Sequence, residues 1–522
     1  MKKTCLLSLS GLLLALLISV QAAQPNILLI VSEDNGPELG CYGDPYARTP
    51  VLDKLAGEGV LFHNAYVTQA GCSQSRASFL TGLYPHQHGQ IGLATWGFRL
   101  YREDTPNLPR SLKEAGYRTG LIGKLHINPE SAFPYDMKEI PSGNFARKNL
   151  GDYARFAEAF MQAGTQPFFL HVNYPDAHDP WLRQVDGLPK DPQNGGDVKA
   201  MPYFGIDPPE MREMIADYYN SISRLDTLVG DLLKALRNSG KADNTLVVYL
   251  GDHGADMLRG KRTCYEGGVR IPLIVRWPGV AKPLVCNELV STIDLVPTLL
   301  SAAKARTLPD LPGASLYPLI VGEAVSWRKH LFTEFHTHAA KANFYPQRAV
   351  RNGRYKLIEN LLLDEENPGY ADTFRKLEAD AVERGQAGFD GGLPRSVANA
   401  APEVRAAYAL MKKPPRYELY DLQADPYEFR NLVDDSRHAT AFNELKQSLL
   451  SWRQQTNDPL LDPVNLQLLK AEVYGLPSKA EGKKRGWNYP DYFFGKEPSS
   501  VKGHAPQPSA SSKNRKPTNQ SR

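Results

Sequence analysis

Cysteine is scarce in this chain, with five residues in 522. A scaffold stapled by disulfides is excluded, because such folds are short and dense in cysteine. Cys5 lies near the N-terminus, and four cysteines follow it: Cys41, Cys72, Cys264 and Cys286. Two disulfides are arithmetically possible in an oxidising compartment, and burial as small apolar side chains is the alternative.

The chain also has little excess of charge of either sign. It contains 61 Lys and Arg against 57 Asp and Glu, for a formal net charge of +4. A dedicated nucleic-acid-binding protein usually carries a strong basic excess, so we expect no nucleic-acid partner. This balance leaves room for a local basic pocket that holds an anion. No internal repeat is present.

Long apolar runs are missing beyond residue 23. Two lysines precede the apolar residues 6–20, and small residues follow at Ala22 and Ala23, a pattern typical of a cleaved signal peptide. The apolar run is too short for a comfortable membrane span, and Cys5 precedes it, unlike the cysteine of a lipoprotein. We therefore predict a periplasmic or secreted protein without an integral membrane segment.

Three short apolar segments end in polar, turn-forming residues and predict buried strands. They are residues 26–31 (NILLIV), 168–172 (FFLHV) and 245–250 (TLVVYL). Helical patterns lie between them, the clearest from about residue 208 to 238, where apolar residues recur three and four apart. Strands that alternate with helices predict an α/β domain with a mainly parallel sheet. The polar residues after the strands are then expected to gather at one edge.

Further elements are predicted from shorter patterns. They are a helix over 107–115, a strand over 117–122, a hairpin over 347–360 turning at Asn352 and Gly353, a strand over 416–422 and a helix over 442–452. Residues 362–415 show little periodicity. We divide the chain into a signal peptide (1–23), a catalytic domain (24–345), a smaller C-terminal α+β subdomain (346–478) and a basic tail predicted to be disordered (479–522).

The densest motif is CSQSRASFLTG, which runs from Cys72 to Gly82. A cysteine followed four residues later by arginine is a weak signal, but the eleven-residue string is much more specific. Residues 74–82 predict a helix, which would place residue 72 near a positive helix end. Other charged and imidazole groups follow the predicted strands: Glu33, Asp34, Lys124, His126, His178, Asp252, His253 and Lys261.

These motifs resemble, in sequence order, those of the type I sulfatase family. In its signature a Cys or Ser precedes x-Pro-x-Arg and a segment ending in Thr-Gly. The other matching segments are Glu33-Asp34, Gly123-Lys124-Leu125-His126, Asp176-Ala177-His178, Asp252-His253-Gly254, residues 260–272 and residues 419–432. The similarity covers roughly residues 25–435. It is greatest to sulfamidase-like members, through HQHG after the signature, the region 124–136 and residues 345–348.

The resemblance implies an alkaline-phosphatase-like α/β fold and a hydrolase that removes sulfate from a sulfated glycan. It implies that a formylglycine-generating maturation enzyme converts Cys72 to formylglycine (3-oxoalanine), whose hydrated aldehyde supplies an oxygen nucleophile. It also implies one Ca²⁺, with these candidate ligands: Glu33, Asp34, Cys72, Asp252 and His253. Carboxylates suit Ca²⁺, whereas imidazole suits softer metals, so His253 either binds the metal or hydrogen-bonds the nucleophile.

The remaining site residues are assigned by the same resemblance. Lys124 and Lys261 are expected to hold sulfate oxygens, and Arg76 to anchor residue 72. His178 is expected to protonate the leaving group, and His126 to take a proton when sulfate is expelled. The catalytic set is therefore Cys72, Arg76, Lys124, His126, His178 and Lys261, and the substrate-binding set is Lys124, His178, Lys261 and Arg348.

Two departures from the family pattern stand out. Gln74 replaces the usual Pro, which bears on recognition of Cys72 by the maturation enzyme, and Glu33 replaces the usual Asp. The histidines at positions 86, 88, 336 and 338 are interpreted as surface residues without a catalytic role. Two alternatives stay open: a phosphate or phosphonate ester hydrolase of the same superfamily, and a non-catalytic sulfated-glycan binder whose Cys72 remains a thiol. The choice between O-sulfate and N-sulfate is also open.

Overall fold

The structure is a computed structural model that describes residues 24–494 with the exception of Pro477. The predicted signal peptide and residues 495–522 of the predicted tail lie outside the described residues. Residues 479–494 of that tail form two helices, so the prediction of disorder is wrong for this part.

Nine strands form the large sheet of the described chain. They are β1 (Asn26–Ser32), β2 (Val60–Tyr66), β3 (Arg118–Ile122), β4 (Met137–Glu139), β5 (Phe168–Asn173), β6 (Thr245–Gly251), β7 (Arg270–Ile271), β8 (Leu273–Arg276) and β9 (Leu284–Ser291). Their order is β4-β3-β5-β1-β6-β8-β2-β7, with β9 beside β2. The first five strands in this order (β4, β3, β5, β1 and β6) are parallel to one another. Strands β8 and β7 run antiparallel to their neighbours, and β9 is parallel to β2.

Sixteen α-helices surround this sheet and a second, smaller one in the described residues. They are α1 (Pro50–Gly57), α2 (Cys72–Thr81), α3 (Pro85–His88), α4 (Leu108–Glu114), α5 (Asp152–Gln162), α6 (Arg212–Asn238), α7 (Glu266–Val269), α8 (Leu295–Ala302), α9 (Tyr317–Ile320), α10 (Pro368–Glu383), α11 (Gly392–Ala398), α12 (Pro402–Lys412), α13 (Ala439–Gln455), α14 (Pro463–Tyr474), α15 (Lys479–Arg485) and α16 (Tyr489–Phe494). The helices predicted at 107–115, 208–238 and 442–452 correspond to α4, α6 and α13.

Both faces of the large sheet are buried. Along β1, Leu28 and Ile30 face a cluster that includes residues of α1, α5 and α6, whereas Leu29 and Val31 face a cluster with residues of α2, α4 and α8. This explains why the central strands read as continuous apolar runs and not as alternating ones. The predicted α/β architecture with a mainly parallel sheet is confirmed.

A four-stranded antiparallel sheet follows: β10 (Leu331–Phe335), β11 (Gln347–Arg351), β12 (Tyr355–Asn360) and β13 (Tyr417–Asp421). The predicted hairpin is β11 and β12, and the predicted strand at 416–422 is β13. The sheet begins with β10, before the boundary that we place at residue 346. Helix α13 packs against it through Leu445, Leu449 and Trp452.

Residues 362–415, where the sequence shows little periodicity, contain α10, α11 and α12. Their apolar stripes are narrow, and Phe374, Leu377 and Tyr408 pack into the same cluster as α6 of the large domain. Tertiary burial of a few large side chains therefore stabilises helices whose sequence pattern is weak.

All four cysteines of the described residues are free. Burial, followed by the negative charge of Asp53, raises the pKa of Cys41 to about 12. Burial raises the pKa of Cys264 to about 12. These two thiols are therefore unreactive near neutral pH. Among the described helices, none combines the length and apolarity that crossing a bilayer requires.

One buried acid makes the stability of the fold depend on pH. Glu38 is 6% exposed and accepts a hydrogen bond of 3.0 Å from the hydroxyl of Tyr218. Burial, with the nearby charge of Asp44, raises the pKa of Glu38 from 4.5 to about 7, while Tyr218 and Arg270 act in the opposite direction. The folded protein thus binds this proton more tightly than the unfolded chain does.

The free energy of unfolding should therefore fall as the pH rises from about 4.5 to about 7. In Glu38→Gln this component is absent, so we expect the variant to gain up to about 3 kcal/mol relative to wild type between pH 5 and pH 8. Thermal unfolding at both pH values measures the difference. Glu114→Gln, at an exposed position, is the control and should show none; equal pH profiles for wild type and Glu38→Gln would contradict the prediction.

Candidate active site

The polar residues after β1, β5 and β6 meet at one edge of the large sheet, as predicted. The backbone N–H of Asp34 donates to Asp252 Oδ1 at 2.9 Å. The N–H of Glu33 donates to the carbonyl oxygen of Asp176 at 3.0 Å. The strand order β5-β1-β6 places these three loops side by side, because parallel neighbours end at the same edge.

Cys72 is the first residue of α2 and lies in this group of loops. Its Sγ is 3.4 Å from His253 Nε2 and 4.0 Å from Asp34 Oδ1. The side chain is 2% exposed, and every residue of α2 is buried. Burial opposes ionisation, but Lys124, Lys261 and His253 outweigh it and hold the pKa of Cys72 well below its usual range. This thiol therefore differs electrostatically from Cys41 and Cys264.

Three cations surround residue 72 and pair with the acids beside it. Lys124 Nζ donates to Glu33 Oε2 at 2.6 Å. Lys261 Nζ donates to Asp34 Oδ2 at 2.9 Å. Arg76 donates to Asp252 Oδ2 at 3.1 Å. All are nearly or fully buried, so their fields are weakly screened by water.

Three histidines face Cys72 with different proton affinities. Burial, with the charge of Lys124, lowers the pKa of His126 to about 4. Burial also lowers the pKa of His178, but Asp34 and Cys72 outweigh burial and raise this pKa above its ordinary value. For His253 Asp252 and Asp34 outweigh burial and raise the pKa to about 9. Near neutral pH the site thus holds a neutral His126 beside a protonated His253, and His178 holds its proton more tightly than a free imidazole does, so the site offers both a proton acceptor and a proton donor.

The acids of this site fit a divalent cation. Ligand atoms of Asp34, Cys72, Asp252 and His253 lie within 4.8 Å of one another, and Glu33 and Asp34 make a second such group with Cys72 and His178. Glu33 Oε1 is buried and has no hydrogen-bond partner among the described residues. Three buried carboxylates with an unsatisfied oxygen are a donor set for a hard cation.

Gln74 ties α2 to two distant segments. Its amide Nε2 donates to the carbonyl oxygens of Thr337 at 2.7 Å and Ile91 at 3.3 Å. A proline at this position would lack both hydrogen bonds. The departure from the family pattern thus has a structural role in the folded protein, next to the turn that carries His338.

The structure corrects the prediction for Arg348. The side chain of this residue is completely buried, and its Nε and Nη2 donate to the two carboxylate oxygens of Asp458 at 2.9 and 2.8 Å. Nη2 is also 3.0 Å from His336 Nε2, and Glu334 lies 3.5 Å from Nε. With no exposed surface, Arg348 does not reach a substrate in this arrangement and belongs to an internal ion network.

The interpretation of four histidines as surface residues is also wrong. His86 and His336 are buried in the network of Arg348, and His86 Nδ1 lies 2.6 Å from Glu334 Oε2. His88 Nε2 is 3.0 Å from the hydroxyl of Ser78, and His338 is 7% exposed. His86 bonds to Glu334 and His336 to Gln69, both distant in sequence, so no local pattern distinguishes these two from solvated histidines.

Two residues near the site, His338 and Asp256, were not predicted from the sequence. His338 lies against the turn before Cys72, and its Nδ1 is buried without a hydrogen-bond partner among the described residues. Burial, with the charge of Lys261, holds the pKa of His338 well below its ordinary value. Asp256 Oδ2 lies 3.8 Å from Lys261 Nζ and 2.7 Å from Lys376 Nζ. Asp256 could have been identified from the sequence, because it follows Asp252 by four residues in the same loop.

A buried cysteine ringed by cations, beside acids suited to a metal, is an arrangement that can stabilise negative charge on an anion attacked there. On a doubly covered α/β sheet, this arrangement defines a hydrolase of anionic esters. The sulfatase family model matches residues 25–305, and the model for the C-terminal region of N-sulphoglucosamine sulphohydrolase matches residues 251–370. The chain belongs to the sulfatase family, which confirms the prediction from its motifs over the phosphate-ester alternative.

Three similar proteins illustrate the relationship. N-sulphoglucosamine sulphohydrolase of Homo sapiens is 31% identical over 483 residues, covering 85% of this chain and 93% of its own. An ulvan-active sulfatase of Formosa agariphila is 28% identical over 479 residues, covering 90% and 86%. A solved complex of a protein with its substrate D-glucosamine-2-N,6-O-disulfate has a TM-score of 0.61 at 20% identity, covers 83% and 98%, and shows the shared fold.

Proposed function

We propose that this sulfatase is exported and removes sulfate groups from a sulfated carbohydrate. The observation that carries the proposal is the position of Cys72 among Lys124, Lys261 and three histidines. The human relative is named for an N-sulfated glucosamine and the Formosa relative for ulvan, so the substrates that their names indicate are sulfated carbohydrates. An amino-terminal segment with the pattern of a signal peptide fits the extracellular location of such polymers.

The chemistry begins with the maturation of Cys72. We propose that a formylglycine-generating enzyme oxidises this cysteine to an aldehyde, which supplies an oxygen nucleophile when hydrated. Arg76 then holds the surroundings of residue 72 through its hydrogen bonds to Asp252 and to Asn173 Oδ1. Because Arg76 is fully buried and ion-paired, it acts as a fixed support for the nucleophile.

The other residues act on the charge and the protons of the reaction. Lys124 and Lys261 approach residue 72 from the sides of Glu33 and Asp34, and they hold the sulfate oxygens by charge. His178, whose pKa Asp34 and Cys72 raise above its ordinary value, donates a proton to the leaving atom of the sugar. His126, neutral at the same pH, accepts the proton of the group that expels sulfate.

The metal is proposed to be Ca²⁺, held by Glu33, Asp34, Asp252, residue 72 and His253, with His253 giving up its proton when the ion binds. A divalent cation held by these residues would offset the charge of the acids and supply Lewis-acid stabilisation to a sulfate. Three carboxylates favour Ca²⁺ over softer metals, and the longer Glu33 side chain is compatible with the variable geometry of Ca²⁺ sites.

Removal of the metal should lower both stability and activity. After dialysis against EGTA we expect the melting temperature to fall, because a ligand at about 100 times its Kd stabilises the folded state by about 2.7 kcal/mol. Re-addition of Ca²⁺ should restore the melting temperature and sulfate release together. An Asp252→Asn variant is the matched control, and its melting temperature should respond less to Ca²⁺. A wild-type melting temperature that ignores both EGTA and Ca²⁺ would rule out this metal site.

The function itself is tested by sulfate release. Protein co-expressed with a maturation enzyme is incubated with defined O-sulfated and N-sulfated sugars, and free sulfate is measured by ion chromatography. The same panel decides between the two kinds of bond. Absence of release from every sugar by matured protein would overturn the proposal.

Maturation is measured separately from activity. The tryptic peptide that ends at Arg76 contains residue 72, and formylglycine makes this peptide about 18 Da lighter than cysteine does. A peptide with the cysteine mass, together with retained glycan binding, would support the alternative of a binder with a free thiol. Fully converted protein that releases no sulfate would instead locate the failure in the substrate assignment.

A further inference from the structure

A cavity of about 510 Å³ opens beside the active site. Its lining includes the predicted catalytic residue His126 and the residues that follow it, on one side. The other sides are the loop that carries Arg99 and the C-terminal segment that carries Lys483. The cavity is thus connected to the reacting centre through the ring of His126, which faces Cys72.

The C-terminal segment that forms one wall is held against the loop 94–100 by a hydrogen bond and an aromatic stack. The indole Nε1 of Trp487 donates to the carbonyl oxygen of Trp96 at 2.9 Å, and the rings of Trp487 and Phe98 stack with centroids 4.0 Å apart. A Cβ at Gly97 would lie 2.5 Å from the carbonyl oxygen of Gly482, so α15 approaches this loop as closely as a glycine allows.

The opposite wall is tied to the same loop. Asn128 Nδ2 donates to the carbonyl oxygens of Ala94 at 2.8 Å and Phe98 at 2.9 Å. Asn128 also receives the backbone N–H of Leu100 at 2.8 Å through its own carbonyl oxygen. The residues after His126, the loop 94–100 and α15 therefore form one connected frame, and the cavity is preformed.

The charges that line this frame favour an anion. Neither Arg99 nor Lys483 forms a salt bridge or a side-chain hydrogen bond within the part of the chain described. The one acid of the lining, Glu130, lies 4.0 Å from Lys138 Nζ, which offsets its charge. With two cations against this single acid, the lining has a positive balance.

We propose that this cavity is a second subsite, in which Arg99 and Lys483 bind another acidic group of the substrate, a sulfate or a carboxylate on a neighbouring sugar. The inference rests on the proposed function and adds a substrate class: oligosaccharides that carry at least two anionic groups. A free basic pair beside a reacting centre contributes affinity that a singly charged sulfate ester cannot use.

Kinetics on two substrates test the subsite. The double variant Arg99→Gln/Lys483→Gln and the single variant Lys483→Gln are compared with wild type on sulfated tetrasaccharides of heparin, chondroitin sulfate and ulvan, and on 4-nitrophenyl sulfate. For the tetrasaccharide that wild type cleaves best, we expect kcat/KM to fall about tenfold or more in the double variant, mainly through KM. For 4-nitrophenyl sulfate we expect a change below about twofold, because this ester carries one anionic group.

Lys484→Gln is the matched control, because Lys484 is an exposed neighbour on α15 that does not line the cavity. It should leave kcat/KM unchanged for both substrates.

Increasing NaCl should also weaken the tetrasaccharide reaction of wild type more than that of the double variant. If inorganic sulfate inhibits wild type and the double variant equally, the inhibition comes from the reacting centre, as the proposal requires. A stronger effect of sulfate on wild type, with equal tetrasaccharide kinetics, would identify the cavity as a free-sulfate site and overturn the glycan subsite.

The two possible failures are distinguishable. If wild type cleaves a tetrasaccharide and the double variant does so equally well, the subsite is overturned and the proposed function stands. If matured wild type releases sulfate from 4-nitrophenyl sulfate but from no glycan, the proposed carbohydrate substrate fails, and the subsite fails with it. The melting temperatures of the variants show whether a loss of kcat/KM comes from unfolding. If the double variant unfolds, the single variant Lys483→Gln, at an exposed position, replaces it in the comparison.

Discussion

In a Cys72→Ala variant, sulfate release from 4-nitrophenyl sulfate should fall at least about 10⁴-fold, to the level of the uncatalysed background. Residue 72 lies at the centre of the site, with His253 Nε2 3.4 Å away and the lysines paired to the acids beside it. Removing Sγ removes the precursor of the nucleophile and leaves the surrounding charges in place. The loss should therefore appear in kcat, and binding of a sulfated sugar should persist.

The control for this prediction is Cys286→Ala, which removes a buried thiol far from the reacting group in sequence and without cationic neighbours of comparable effect. It should keep activity within about twofold of wild type. Both variants are co-expressed with the maturation enzyme, and their melting temperatures are compared. Activity of Cys72→Ala within tenfold of wild type, in protein free of contaminating sulfatase, would place the nucleophile at another residue.

The second large effect concerns stability. In Arg348→Met we expect the free energy of unfolding to fall by about 3–5 kcal/mol, because removing one partner leaves buried charges without compensation. Asp458 would lose both hydrogen bonds from this guanidinium, and Glu334 would lose its neighbour at 3.5 Å. Urea unfolding followed by tryptophan fluorescence measures the change.

Arg354→Met is the matched control. Arg354 pairs with Asp421 at 2.6 Å, but its side chain is 51% exposed, so we expect a much smaller loss of stability than for Arg348→Met. The conservative Arg348→Lys separates a structural role from substrate binding. A structural role predicts a lower unfolding midpoint with KM unchanged in the folded fraction. An unchanged midpoint with a raised KM would restore Arg348 as a substrate contact.

Several features of the fold could be predicted because their signals are local. The strands β1, β5 and β6 are apolar on both faces, and each is followed by a polar turn. Parallel pairing then brings those turns to one edge, whatever the details of the rest. The arrangement of Glu33, Asp34 and Asp252 around Cys72 follows from this rule together with the order of the motifs.

Other features depend on partners that are distant in sequence. Arg348 and His86 have the appearance of solvated residues until Asp458 and Glu334 are placed beside them. Helices α10 to α12 have weak patterns because they bury narrow stripes against an existing core. Residues 479–485 are polar, and the residues that follow pack into a core cluster through Trp487, Tyr489 and Phe493.

That docking also has a consequence for the order of events during synthesis. Tyr489 donates its hydroxyl proton to the carbonyl oxygen of Gly89 at 2.7 Å, a contact between residues 400 positions apart. A polypeptide emerges from the ribosome amino-terminal end first. The C-terminal segment that packs against the loop beside His126 is therefore synthesised about 400 residues after that loop. A nascent chain that stops before residue 487 should therefore have an incomplete cavity even if its central sheet has formed.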